Sequence, residues 1–350
     1  MFWSKNTIPK RLSILDTNKY EKIKDKHLLK LTYLTNLKIS FNDVLTDRSI
    51  KRLTNLTSLN INTCNITYYG IRKLTNLTDL SLKNSNIIDN GIKKLTNLKS
   101  LDIIKCKITN DGITKLVNLE TLNICGCKFI NSNSLTYLDN LKNLSFEGYD
   151  YNNNNNHITD NDIKLLTNLK SLNLCGIGNI TDDGIKDLTN LTSLNLRHNK
   201  SIFSNGIKNL TNLQFLNLCV NKRISGDVIK SFTNLTFLYI SNNKMIIDNS
   251  IKDLINLKSL DISHNDNITD EGIKDLTNLT FLNLFMNRAI TDNSIKMLTN
   301  IVHLGARGTK LISDNSIKML TNLTYIDICY TNNITDDGLK DLKYLIKIMR

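Results

Sequence analysis

The chain has almost no proline, few aromatic residues and no long apolar run. Pro9 is the single proline in 350 residues, tryptophan occurs once, and aromatics make up 6% of the whole. A core centred on large rings is excluded, so the interior has to come from Leu and Ile in short layers. No stretch approaches the roughly 18 apolar residues of a membrane-spanning helix, and no membrane role is expected. The opening MFWSKNTIPK lacks the apolar run of a secretory signal. The simplest reading is intracellular, in the cytoplasm of the producing cell or of a host. Chemical motifs are also scarce: the five histidines are scattered, with no metal-ligand spacing, no Gly-rich phosphate loop and no Ser-His-Asp arrangement. Neither a cofactor nor an enzymatic activity is expected.

What the chain does have is a period. A large apolar residue returns every 22 positions at Leu166, Leu188, Leu210, Phe232, Leu254, Leu276, Leu298, Leu320 and Leu342. A period that short, kept that long, means stacked coils in which each contacts only its neighbours. A lone coil buries roughly seven apolar side chains and cannot offset its own ordering entropy, so the coils fold only together.

Each coil carries L-x-x-L-x-L-x-x-N or a close variant, as in Leu191, Leu194, Leu196 and Asn199, or Leu213, Leu216, Leu218 and Asn221. The alternating apolar positions turn inward from a short strand, and the final residue can bond backbone groups that the exit turn leaves unpaired. Asn fills that place at Asn42, Asn199, Asn221, Asn243, Asn265 and Asn287, whereas Cys64, Cys106 and Cys127 fill it in earlier coils. Counting first strand residues from Leu34 to Leu323 gives fourteen full strands, with a truncated fifteenth at Leu345. The one irregular step, 28 residues between Leu141 and Leu169, is assigned to an inserted loop at Asn152 to Asn156. Between strands, text such as Ile180 to Leu188 predicts a short outer helix with Thr or Asp at its N-cap and Ile185 and Leu188 turned inward.

The pattern resembles leucine-rich repeat proteins over about nine tenths of the chain. The resemblance implies an α/β solenoid, or horseshoe, with a parallel sheet on its concave face and short helices on its convex face. Residues 1–30 are read as an N-terminal cap, with helical spacing at Tyr20, Ile23, His27 or Leu28, and Leu31, and residues 31–350 as the solenoid. The rungs with Cys64, Cys106 and Cys127 look like the cysteine-containing repeats of F-box proteins, which implies a substrate adaptor of a ubiquitin ligase. The phrase LTNLTSLNL is similar to internalin-type repeats, and the Asn-rich, proline-poor style is similar to proteins of giant viruses and amoebae. At the far end an open strand edge is expected, guarded by Lys347 and Arg350 or covered by a second copy as a homodimer.

Strand positions three, five and seven are expected to face outward on the concave side. The first six rungs place mostly small or polar residues there, such as Ser58, Asn60, Asn62, Asp79, Ser81, Lys83, Asp102, Asn123 and Glu147. Later rungs place Phe215, Phe237, Tyr239, Phe281, Phe285 and Tyr325 there, with Arg197, His303 and Arg307 in the same columns. Aromatics flanked by Arg on a rigid face are what a protein-binding hot spot needs. The bland alternative is that the rings only stack along the sheet. The leading expectation is a recognition scaffold that holds an unidentified protein partner on this face.

The net charge is +13, and residues 1–30 supply five of it, with eight basic residues against three acidic ones. Lysines also recur on the predicted outer face at Lys164, Lys186, Lys208, Lys230, Lys252, Lys274, Lys296, Lys318 and Lys340. Such a stripe can hold nucleic acid, but Asp follows four of these lysines directly, and a mixed face is usually just solvated; a nucleic-acid partner is the lesser expectation. The seven cysteines form an odd set, which argues against a disulfide framework. Cys125, Cys175, Cys219 and Cys329 share a strand position read as pointing away from the core. Cys106 and Cys127, on adjacent rungs, are read as buried thiols of a reducing compartment. Arg197 lies one rung from Cys175 and Cys219, a place from which it can lower a thiol pKa, with His198 as the only close base. Small residues tolerated on a concave face explain these cysteines better than a redox or nucleophilic role.

Overall fold

An alternating apolar strand stacks on its neighbours only if the chain can leave it within a few residues. In the computed structural model, which describes residues 12–19, 23–130, 134–146 and 158–350, a left-handed residue follows the strand in rung after rung. Ten of these are not glycine, with φ between 47° at Asn84 and 59° at Val220 and Tyr330. Such a conformation costs an L-residue about 1–2 kcal/mol, and repeating it shows how strongly the stacked coils dictate the turn.

The chain divides into two compact units, residues 1–170 and 171–350. Among the described residues the first unit has seven strands: β1 (Ile14–Asp16), β2 (Asn36–Ser40), β3 (Ser58–Asn62), β4 (Asp79–Lys83), β5 (Ser100–Ile104), β6 (Thr121–Asn123) and β7 (Asn143–Ser145). They pair parallel, each with the next, so that Leu37, Leu59, Leu80, Leu101, Leu122 and Leu144 lie in register. The second unit has nine: β8 (Ser171–Asn173), β9 (Ser193–Asn195), β10 (Phe215–Asn217), β11 (Phe237–Tyr239), β12 (Ser259–Asp261), β13 (Phe281–Asn283), β14 (His303–Gly305), β15 (Tyr325–Asp327) and β16 (Lys347–Met349). These too are parallel and in register, Phe215 beside Phe237 and Phe281 beside His303 beside Tyr325. Strands β2 to β15 match the fourteen expected from the repeat, and β16 the partial one. Strand β1 falls inside the segment read as a helical cap, and a one-turn helix at Asp25–Leu28 follows it. Tyr20, Glu147 and the run Asn152 to Asn156 lie outside the described residues.

One coil shows the energetics. Leu191, Leu194, Leu196, Ile202, Ile207 and Leu210 are all fully buried, each contributing about 1.5–3 kcal/mol. Ile185 and Leu188 also point inward, as expected. The connecting helices are single turns, for example Asp270–Ile273 and Asp292–Ile295. A hydroxyl caps many of them: Thr269 Oγ1 accepts from Glu271 N. The first helical acid then reaches the next rung, where Asp270 accepts from Thr291 N at 2.9 Å, Thr291 Oγ1 at 2.6 Å and Ser294 Oγ at 2.5 Å. No helix among the described residues is long and apolar enough to cross a membrane.

Candidate functional site

The buried ladder comes first, because it fixes what lies above it. Asn199, Asn221, Asn243, Asn265 and Asn287 are at most 1% exposed. In Asn221 the amide donates to Leu196 O (3.3 Å) and Asn199 O (3.2 Å), while Oδ1 accepts from Arg223 N (2.9 Å) and Ile224 N (3.3 Å). The cysteines at the equivalent place only donate: Cys106 Sγ to Leu82 O at 3.3 Å and Cys127 Sγ to Ile103 O at 3.1 Å. Burial pushes the Cys127 thiol up to about 12, so it stays protonated and inert.

Strand position five carries a turn-forming Asn or Asp in six strands of the second unit. Asn173, Asn195, Asn217, Asp261, Asn283 and Asp327 each accept, through Oδ1, the backbone N–H two residues on. That side-chain turn takes the N–H away from the ladder in these three-residue strands, although β11 and β14, with Tyr239 and Gly305 at this place, are also three residues long. Strands β2 to β5, with Lys38, Asn60, Ser81 and Asp102 at this place, run to five residues.

Over this frame the predicted residues fall into two groups of rings. Phe215 lies 6.3 Å from Phe237 and meets Tyr239 edge-on at 5.5 Å. Farther along, Phe281, His303 and Tyr325 form one column, with centroids 6.4 Å and 5.8 Å apart and the last pair stacked. Phe285 and Arg307 form the parallel column, the guanidinium 5.3 Å from the ring. Phe237 is 41% exposed and Phe281 39%; His303 and Arg197 are exposed, and Phe215, Tyr239, Phe285, Arg307 and Tyr325 are half-buried. Arg197 shares the column of Cys219, Phe285 and Arg307 but lies four rungs before Phe285. The rings therefore stack along the sheet and remain open to solvent.

Sequence reasoning missed four neighbours of this surface. Tyr330, 81% exposed, lies 5.1 Å from the Arg307 guanidinium. His264 meets Phe285 edge-on at 4.8 Å, Lys347 sits 5.5 Å over Tyr325, and Gly305 interrupts the middle column. Tyr330 and His264 occupy the left-handed position after the strand, whose period of 22 is visible in the sequence, although the way it aims a side chain is not.

Two expectations about the thiols need correction. Cys125, Cys175 and Cys219 are buried rather than open, since a small side chain sinks between longer neighbours; Cys329 is half-exposed. The Cys219 thiol is pushed up to about 11 by burial and then by Asp261, and the opposing pull of Arg197 is smaller. His198 is held below its usual range by burial and by Arg197 and Lys200. The lysine stripe is also partly neutralised by the acid three residues earlier: Lys186 with Asp183 (2.5 Å), Lys230 with Asp227 (3.2 Å), Lys274 with Glu271 (2.6 Å) and Lys340 with Asp337 (3.0 Å).

The Leucine Rich repeat family model matches residues 52–74, 94–117, 187–211, 253–277 and 275–298. No curated protein matches the chain at a significant level. Among solved structures, a leucine-rich repeat protein of Leptospira interrogans is similar at 24% identity, covering 95% of this chain and 94% of that one, with a TM-score of 0.62. An internalin of Listeria monocytogenes is similar at 24% identity, with coverages of 94% and 90% and a TM-score of 0.54. The functional domain of InlJ from the same bacterium, which includes a cysteine ladder, is similar at 20% identity over 93% of this chain and 69% of that one, with a TM-score of 0.58. At such identities the likeness speaks for the fold.

Proposed function

This chain is a leucine-rich repeat protein, and on that premise we propose that it is a non-enzymatic scaffold whose open sheet face in residues 171–350 holds a protein partner. Leucine-rich repeat proteins are, as a family, interaction scaffolds. The observation that carries the reading is the pair of ring groups around Phe237 and Phe281, each left about two-fifths exposed on strands whose backbone is fully paired within the unit. Rigid aromatics lose little entropy on binding, and buried rings beside an Arg are typical energetic centres of interfaces. Self-stacking does not compete with this role, because it fixes the rings before the partner arrives.

An intracellular place goes with this proposal. Cys106 and Cys127 each donate a thiol proton to a backbone carbonyl, a role that only reduced cysteine fills. The test is affinity capture from the native cell with the full chain and with a Phe237→Ala, Phe281→Ala, Phe285→Ala variant. Loss of a wild-type partner from the variant is the expected result, each central ring being worth about 2 kcal/mol or more. Undiminished capture removes this face from consideration.

A further inference from the structure

Resting on the docking face proposed above, we infer that Arg307 anchors the carboxylate of a single aspartate or glutamate in the bound protein segment, beside the bare backbone of Gly305. The guanidinium lies between two rings, 5.3 Å from Phe285 and 5.1 Å from Tyr330. Its Nε is buried and finds no acceptor among the described residues. A guanidinium is a planar fork of N–H donors matched to a carboxylate, and a buried donor left without a partner calls for an explanation.

The acids nearby are already engaged. Asp327 Oδ1 accepts from Cys329 N at 3.1 Å. Asp261 accepts from Ser263 N and Oγ and from Asn283 Nδ2, at 2.9, 2.5 and 3.2 Å. No carboxylate pairs with Arg307 among the described residues. Gly305, two residues before Arg307 on the same strand face, lies in register between Asn283 and Asp327. A Cβ there would stand 2.6 Å from Asn283 Oδ1 and would have to displace that amide; with glycine in place the backbone stays bare between His303 and Arg307.

The surroundings choose the class of ligand. Phe281, His303, Tyr325 and Phe285 offer ring surface to apolar side chains, and Arg307 offers one strong anion contact among them. A phosphate backbone needs a run of cations, whereas the column beside Arg307 carries Asp261 and Asp327. One acid within an apolar segment fits; a polyanion does not.

The test uses the full chain and a panel of labelled dodecapeptides, each with one glutamate among apolar and hydroxyl residues, and each with a glutamine twin. Fluorescence polarisation is expected to show the glutamate peptides binding about tenfold tighter than their twins, with the ratio falling to about one in Arg307→Met and to an intermediate value in Arg307→Lys. Phe281→Ala is expected to weaken both twins alike and leave the ratio intact. If Phe281→Ala leaves both affinities unchanged while the ratio still depends on Arg307, the aromatic docking face fails and the anchor stands. A ratio of one in the wild type, a ratio that survives in Arg307→Met, or no peptide binding overturns the anchor. So does Arg307-dependent binding of a mixed-sequence oligonucleotide in place of the peptides. Arg307→Lys keeps the outcome readable should the Met variant fold poorly.

Discussion

Residues 12–130 and residues 171–350 solve the same stacking problem with different side chains. In three of the earlier rungs the exit from the strand is held by Cys64, Cys106 and Cys127, which only donate, although Asn42 holds the first, and steps of 21 residues are common. From Asn199 to Asn287 it is held by Asn at a constant step of 22, and Asn199 donates twice and accepts twice, while Thr309 and Thr331 hold the last two. A second Asn or Asp, at strand position five of most later strands, accepts the backbone N–H two residues on. The difference shows how a repeat can keep its core and change its surface. With the backbone secured from beneath, the outward columns of the later rungs are free to carry rings, whereas the outward column of the earlier ones contains Ser81, Asp102 and Asn123.

The comparison is broken most severely by removing an asparagine. Asn221→Ala strands two carbonyls and two N–H groups in the core and is expected to cost about 3–5 kcal/mol. Cys106→Ala, which removes one weak donor and a small volume, is expected to cost about 1 kcal/mol. Urea denaturation followed by circular dichroism gives both values, and equal losses would erase the distinction between the ladders.

Charge sharpens the contrast next. Burial raises the Asp292 carboxyl, but the Ser313 and Ser316 hydroxyls and the Ser313 N–H overcome this and hold it below its ordinary value of 3.8. Its contribution is therefore present above that value and lost as pH falls through the lowered folded pKa. Asp292→Asn is expected to cost about 1 kcal/mol at neutral pH, allowing for its solvent exposure, and nothing at strongly acidic pH. Asp102 behaves oppositely, since burial holds it above 3.8 and Ser81, Asn123 and Lys83 offset this only in part. Ionisation then penalises the folded state once pH rises past the unfolded value, in full above the folded one. Asp102→Asn should raise the urea midpoint at neutral pH and lose that advantage in acid; a drop at neutral pH contradicts the account.

Smaller effects follow from the turn and the outer face. Val220 is β-branched at φ 59°, so Val220→Asn should stabilise by about 1 kcal/mol, readable as a rise in Tm. Lys274→Ala removes an exposed pair with Glu271 and should leave the Tm unchanged.

Much of this was legible from period alone. Leu191, Leu194, Leu196 and Asn199 announce their strand, their turn and their burial, because every coil repeats the same demand. The ends were less legible: Ile14 to Asp16 form a strand without the repeat's spelling, paired with β2 through Ile14, Leu15 and Asp16. A third ladder also went unread, although LTN recurs throughout, with Asn212 Nδ2 donating to Thr189 O and Asn234 Nδ2 to Thr211 O in the rung before. Periodicity places a residue in a column, but depth within the column depends on its neighbours. That is why Cys219 sinks beside Arg197 and why the rings meet Tyr330 and His264.

The most direct test of the docking face is photo-crosslinking in the native cell with benzoylphenylalanine placed on either surface. Phe281→benzoylphenylalanine, among the later rings, is predicted to yield a covalent adduct with a discrete protein, and Asn123→benzoylphenylalanine, on the earlier polar column, to yield none. An adduct from the Asn123 position with nothing from the Phe281 position would contradict the account.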